Sequence, residues 1–307
     1  MTDRATERQH PSAPGLHAAA AQDVFERLLD AQIAALSAIR PAIPALTSAA
    51  EAGADALRQG CKVAYAGAGS SGLMALADCL ELWGTFGIPV DRTPMLFAGG
   101  AAALLHMTGA VEDDPAQAIP DLMRAALGTG DAVICVSASG STPYTLAVAQ
   151  GAKARGAKVI GISNVSGSEL LELADFPVLL NTGPEVVAGS TRMAAASAQK
   201  VALNMLSVLV GIRLGHVHDG YMVNVVADNA KLVDRAARIV SAVSGQDLAL
   251  AREALRQSEG EVKPAILIAL GAKPEQALTQ LKASDGHLSQ VLAKNPANNS
   301  TGRMTRQ

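Results

Sequence analysis

Apolar positions near the start of the chain recur at helical spacing. In AAAQDVFERLLDAQIAALSAIRPAIPALTSAAEAGADALRQG, residues Val24, Leu28, Leu29, Ile33 and Leu36 fall on one face, which predicts two helices parted at Pro41 and Pro44. From Cys61 onward the pattern changes. Short continuous apolar runs, KVAYAG, PMLFAGG, DAVICVSAS, KVIGISN and FPVLLN, alternate with amphipathic stretches. Runs without polar alternation suit strands covered on both faces, and five of them separated by helices predict a doubly wound α/β domain with a five-stranded parallel sheet and right-handed crossovers. Between Ser190 and about Val240 two long helices follow, SAQKVALNMLSVLVGIRLG and NAKLVDRAARIVSAVSG, joined by HVHDGYMVNVVAD. The remainder breaks at Gly260, Gly271 and Gly286 into three or four short helices. The expected division is a leader with N-terminal helices (1–45), a sheet domain (46–240), a small three-helix domain (241–295) and a disordered tail (296–307).

Composition narrows the class of function. A chain of 307 residues with 49% hydrophobic and 17% charged residues can bury a large core. Aromatic residues make up only 3% and the net charge is −3, so neither stacking platforms nor a basic footprint for nucleic acid is present. The apolar runs are broken by Gly, Ser or charge short of the roughly 18 residues a membrane span needs, and no membrane association is expected. The leader MTDRATERQHPSAPGLH lacks the apolar core of a secretory signal. Cys61, Cys79 and Cys135 are odd in number, lack metal-ligand spacing and sit in apolar surroundings, which fits reduced thiols in the cytoplasm.

The chemistry concentrates where strands meet helices. Gly67, Gly69 and Gly72 form G-x-G-x-x-G at the end of the first run, a pattern that any tight strand-to-helix turn selects. A dinucleotide site would also need an acidic residue at the end of the second strand to hold a ribose. That strand ends in Gly99 and Gly100, and Asp91 precedes it. The third strand runs into SASGSTP, which puts Ser137, Ser139, Ser141 and Thr142 around Gly140 at a helix start. Hydroxyls and free amides converging on a helix N-terminus suit a phosphate monoester. With Gly69, Ser70 and Ser71 from the first loop, these residues are the candidate phosphosugar contacts; ordinary helix capping by the same serines is the alternative.

The succession GAGSSG, SASGST and GPEVVAGSTRMAAASAQK resembles the sugar isomerase (SIS) domain superfamily and, within it, the N-acetylmuramic acid 6-phosphate etherases. The leader TERQHPSAPGL, NMLSVLVGIRLGHV and the helical C-terminal segment extend the resemblance over nearly the whole chain. It implies a lyase that removes D-lactate from carbon 3 of the sugar, giving N-acetylglucosamine 6-phosphate for cell-wall sugar recycling. No cofactor and no metal are implied. Elimination needs a base for the proton on carbon 2 and an acid for the departing oxygen. By analogy Glu112, in TGAVEDD, is the base and Glu81, in CLELWGTFG, is the acid. Glu81 stands ten residues beyond Ser71, or about 15 Å along a continuous helix. Either that helix ends early or Glu81 serves a neighbouring subunit; the expectation is a homodimer with its active site at or across the interface.

Other polar residues are weighed beside these. Ser190 and Thr191 open the next helix as a third sugar contact or as its cap, while Glu185 and Arg192 form a structural ion pair or line the pocket. His216, His218 and Asp219 fall short of a metal set. The family pattern has Arg where Leu73 and Ser141 stand, a glutamate where Gly109 stands, and GNLM where this chain reads DGYM. Loss of two guanidinium groups weakens the reading of an anionic substrate, which keeps two alternatives in view: a phosphosugar-binding regulator without turnover, and an aldose–ketose isomerase. The sequence carries no helix-turn-helix segment of the transcription-regulator members.

Overall fold

The computed structural model describes residues 5–294. Its contacts cluster into two compact units, one holding the residues up to Leu80 with Asp91–Leu209, the other Glu81–Val90 with the residues from Val210 onward.

The first unit holds a parallel sheet of five strands, β1 (Val63–Gly67), β2 (Met95–Phe97), β3 (Ala132–Ser137), β4 (Lys158–Ser163) and β5 (Phe176–Leu179), in the order β2-β1-β3-β4-β5. Every residue of β1 and β3 is buried, as expected of unalternating apolar runs. Helices α1 (Ala21–Ser37), α2 (Ile43–Arg58), α3 (Gly69–Phe86), α4 (Gly100–Ala103), α5 (Ala118–Ala125), α6 (Pro143–Ala154), α7 (Glu169–Leu173) and α8 (Ala194–Arg213) connect and cover these strands. On one face, Ala64, Ala66, Val133 and Cys135 pack with Leu122 of α5 and Val148 of α6. Tyr65 lies on the other face by the two-residue period of a strand, and its hydroxyl donates to Asp78 of α3 (2.8 Å).

The strand order decides where a ligand can sit. The chain leaves β1 to form β2 on one side, then returns to form β3 on the other side of β1, in register Tyr65 to Ile134 and Gly67 to Val136. This reversal is a topological switch point, and open α/β sheets bind ligands beyond the carboxyl ends of the strands that flank one. Both glycine- and serine-rich loops fall there.

The second unit is helical. A short hairpin of β6 (Val217–His218) and β7 (Tyr221–Met222) precedes α9 (Ala230–Ser244), α10 (Leu248–Gln257), α11 (Val262–Ala269), α12 (Pro274–Lys282) and α13 (Leu288–Lys294). Val223, Val240, Ala251, Ile266, Ala277 and Leu288 lie in one buried cluster, so its core reaches back through α9 to Val223.

Two expectations change. Ala21–Arg58 and α8 are long and apolar enough to pass as membrane spans by length and composition, against the expectation that Gly, Ser or charge breaks every such run short. Isolated charges among many alanines do not lower the apolar character enough. Core helices pass the same test, and Ala195, Ala198, Ala202, Leu203 and Leu206 of α8 are buried within the protein. The second difference is that α8 begins at Ala194, so Ser190 and Thr191 lie in the preceding turn. The tail 296–307 lies outside the described residues.

Candidate active site

The glycines of the first loop answer to three different close approaches. A Cβ on Gly67 would come within 2.9 Å of the Gly72 Cα, and one on Gly72 within 2.8 Å of the Phe97 ring. These two glycines let α3 start hard against β1 and β2. Gly69 has φ +52°, a left-handed conformation that favours glycine, and the Glu112 carboxylate occupies the space where its side chain would be. Ser71 is buried, and its Oγ accepts a hydrogen bond from the Ala138 amide (3.2 Å), which ties the first loop to the one after β3.

The second loop is held by its own hydroxyls. Ser137 shares hydrogen bonds with Thr142 (2.8 Å) and Ser139 (3.4 Å), and its Oγ accepts from the Gly140 amide (3.1 Å). Ser139 Oγ accepts from the amide (3.3 Å) and the hydroxyl (3.1 Å) of Ser141. Thr142 occupies the N-cap position of α6 without a side-chain cap bond, so its hydroxyl joins the loop network instead of the helix amides. Gly140, at φ +65°, has the hydroxyls of Ser163 and Ser168 packed where a Cβ would stand.

Glu112 joins both loops. Its side chain touches Gly69, and its backbone carbonyl accepts from the Tyr144 amide in the first turn of α6 (3.1 Å). Burial, followed by the neighbouring Asp113 carboxylate, raises the Glu112 pKa above the ordinary value. A carboxylate shifted in this direction is a stronger base than an ordinary one, which suits proton abstraction.

The other sequence candidates take different positions. Ser70 is half-buried beside Ser71. Ser190 lies in a turn, its amide donating to Val187 (2.9 Å), and no hydrogen bond links it to either loop among the described residues. Glu81 is exposed on α3, with no hydrogen bond or ion pair on its carboxylate among the described residues. Of the two routes open to Glu81, an early end to its helix is not taken, because α3 runs unbroken to Phe86. Glu185 forms no ion pair with the exposed Arg192. It is 2% exposed, and its two oxygens accept from the amides of Ala194 (3.0 Å) and Ala195 (2.9 Å), capping the start of α8. His218 meets Asp219 only at 3.9 Å, and no cluster of three or more metal-ligating side chains occurs among the described residues.

Sequence reasoning missed Asp78. It is 4% exposed and accepts hydrogen bonds from Tyr65 (2.8 Å), Asn204 (2.7 Å) and Ser207 (2.9 Å), binding β1, α3 and α8 around one carboxylate. The local hint was an acid at position 78, flanked by Ala77 and Cys79 inside the apolar helix ALADCLELW, which also carries Glu81. The leader's contact was missed as well: Thr6 is buried, its carbonyl accepts from the Gly189 amide (3.1 Å), and Glu7 packs against Gly189.

Residues 23–164 match the SIS domain family. A protein of Deinococcus radiodurans named N-acetylmuramic acid 6-phosphate etherase is 41% identical over 299 residues, covering 97% of this chain and 98% of its own. Proteins of the same name from Rubrobacter xylanophilus and Yersinia pestis are 39% and 42% identical, covering 91% and 83% of this chain and 93% and 87% of their own. Among solved structures, a candidate phosphosugar isomerase from Bacteroides fragilis, described as involved in capsule formation, shares the fold. It superposes with a TM-score of 0.50 at 21% identity, over 66% of this chain and 95% of its own.

Proposed function

The chain belongs to the SIS-domain family of N-acetylmuramic acid 6-phosphate etherases, and we propose that it cleaves the D-lactyl ether of that sugar with Glu112 as base and Glu81 as acid. The observation that carries this reading is the place of Glu112, a raised-pKa carboxylate seated on Gly69 and bonded to Tyr144 where the two Ser/Thr loops meet.

In this mechanism the 6-phosphate binds the amides and hydroxyls of Gly69–Ser71 and Ser137–Thr142, favoured by the N-terminal dipoles of α3 and α6. The open-chain aldehyde makes the carbon 2 proton acidic, and Glu112 removes it. The carbon 3–oxygen bond breaks, Glu81 protonates the departing lactate oxygen, and an unsaturated aldehyde remains. Water then adds, its hydroxyl to carbon 3 and a proton to carbon 2, with Glu81 now the base that activates it. The products are D-lactate and N-acetylglucosamine 6-phosphate, so the reaction is that of a carbon–oxygen lyase and needs no redox partner.

We assign Glu81 to the site of a second subunit in a homodimer. The unbroken helix beyond Ser71 and the unengaged, exposed carboxylate support that assignment. Three free thiols support a cytoplasmic location, where this activity would serve cell-wall sugar recycling. Ser190 is retained as a sugar contact made from the turn before α8.

The test is D-lactate release from N-acetylmuramic acid 6-phosphate by the purified protein and by Glu112→Gln and Glu81→Gln. Release by the native protein that collapses in both variants supports the assignment. If the sugar phosphate raises the melting temperature without any release, the protein is a binder, as the leucine at position 73 and the serine at 141 would allow.

A further inference from the structure

The helical unit contains a pocket of about 520 Å³ that uses none of the residues of the Ser/Thr loops. Trp83, Pro264 and Leu278 contribute apolar wall, and Asn224, Lys263 and Lys282 contribute polar groups. Glu259 and Glu261, both exposed, stand at the rim.

Lys263 is the unusual member. It is 9% exposed, and its Nζ donates to the carbonyls of Gly215 (3.3 Å) and Gly286 (3.0 Å). No carboxylate lies within ion-pair distance of it among the described residues. An ammonium group has three donors, so two carbonyls leave one N–H unpaired, and the rim carboxylate of Glu261 offsets the charge only through space. Burying a cation in that way is costly unless an anion joins it. Burial pulls its pKa down to about 8, which still leaves it largely protonated at neutral pH. Gly286 adopts φ +73°, and a Cβ there would press to 3.3 Å from Nζ, so its bare α-carbon keeps the approach to the ammonium open. The start of α11 also lines the pocket, and its dipole favours negative charge there.

The chemistry therefore calls for an anionic group at Lys263, an apolar or sugar-like face along the indole, and hydroxyl or amide donors toward the rim carboxylates. We propose that this pocket is a second ligand site, for a small organic anion whose carboxylate or phosphate is taken by Lys263 and whose body lies along Trp83. The volume exceeds that of a bare inorganic ion and lies within the range of small-molecule sites.

Trp83 is the only tryptophan in the chain and forms part of the wall, so its fluorescence reports on this pocket. The experiment titrates the full-length protein with N-acetylmuramic acid, which has a carboxylate and no phosphate, and with glucose 6-phosphate, which has the reverse. A saturable fluorescence change with either compound identifies the head group. Lys263→Met and Lys263→Gln each weaken it by about tenfold or more, as expected when a buried charge partner is removed, whereas Ser139→Ala leaves it unchanged. The glutamine variant retains a donor for the two carbonyls and keeps the test valid should the methionine variant fold poorly. Absence of any saturable change, persistence in both Lys263 variants, or loss in Ser139→Ala would overturn the proposal.

Discussion

The carboxylate of Glu112 rests against the α-carbon of Gly69, filling the volume that any side chain at position 69 would claim. The base is thereby placed by the same glycine that opens the first phosphate loop. Gly69→Ala should push Glu112 aside and also strain a left-handed residue, the latter costing about 1 kcal/mol. We expect a fall in kcat for lactate release of at least about tenfold, the effect of even a small displacement at a reacting group, with a far-UV circular dichroism spectrum like that of the native protein. Unchanged kcat would separate Glu112 from the chemistry.

The raised pKa of Glu112 fixes the sign of two pH effects. Its ionised form is the active base, so the acidic limb of the kcat/KM profile should lie above the ordinary carboxylate range and disappear in Glu112→Gln. Because the folded pKa exceeds the unfolded one, the group's contribution to stability is present at low pH and lost as pH rises through the folded pKa. Glu112→Gln should therefore melt slightly above the native protein at pH 7 while releasing no lactate. The increment is small because the carboxyl remains half-exposed.

Asp78 should be costly to alter. Glu81 lies one turn further along the same helix, but the first effect expected of Asp78→Ala is on the fold. It leaves the donors of Tyr65, Asn204 and Ser207 without their shared acceptor, a loss of about 1–3 kcal/mol for each donor that stays buried and unpaired. Tyr65→Phe, which removes one donor, should cost only about 1–2 kcal/mol. Urea denaturation of both variants checks the ranking.

Glu185 predicts a stability effect in place of a binding one. Glu185→Ala uncaps α8 at the amides of Ala194 and Ala195 and should cost about 1–2 kcal/mol. Arg192→Ala, on an exposed residue outside that cap, should be nearly neutral. Equal losses in the two melting curves would restore the ion-pair reading.

His216 supplies a separate acid-sensitive element in the helical unit. Burial, then the nearby Lys263 charge, brings its pKa down to about 4, and its Nδ1 is buried without a partner among the described residues. The unfolded chain binds this proton more readily, so stability is full above pH ~6.5 and falls as pH drops toward 4. At about 1.36 kcal/mol per pKa unit the loss is at most on the order of 3–4 kcal/mol. Comparing urea midpoints at pH 7 and pH 5 for native protein and His216→Gln should show the native slope reduced in the variant.

The parts of this architecture that depend on neighbouring residues could be read directly from the sequence. KVAYAG and DAVICVSAS announce buried strands because both faces must be apolar, and SASGSTP announces a helix start crowded with hydroxyls. The role of Glu112 required the resemblance, since TGAVEDD by itself resembles any acidic loop. The role of Asp78 was hidden for a different reason: Asn204, which donates to it, lies 126 residues away, and only folding reveals that the two helices meet. Glu185 was ambiguous because nearby Arg192 suggests a pair, whereas two helix amides offer a better-aligned partner. The start of α8 was expected at Ser190, one turn before its actual first residue Ala194, an ordinary uncertainty at helix ends.

The hydrogen bond from the Tyr144 amide to the Glu112 carbonyl gives the second loop a mechanical tie to the base. An anion drawn to the start of α6 would steady that turn, and with it the backbone from which Glu112 projects. Recognition of a remote phosphate would then be converted into order at the reacting carbon. A dephosphorylated sugar, N-acetylmuramic acid itself, should suffer in turnover even when supplied at saturation, because the handle that sets the catalytic carboxylate would be missing.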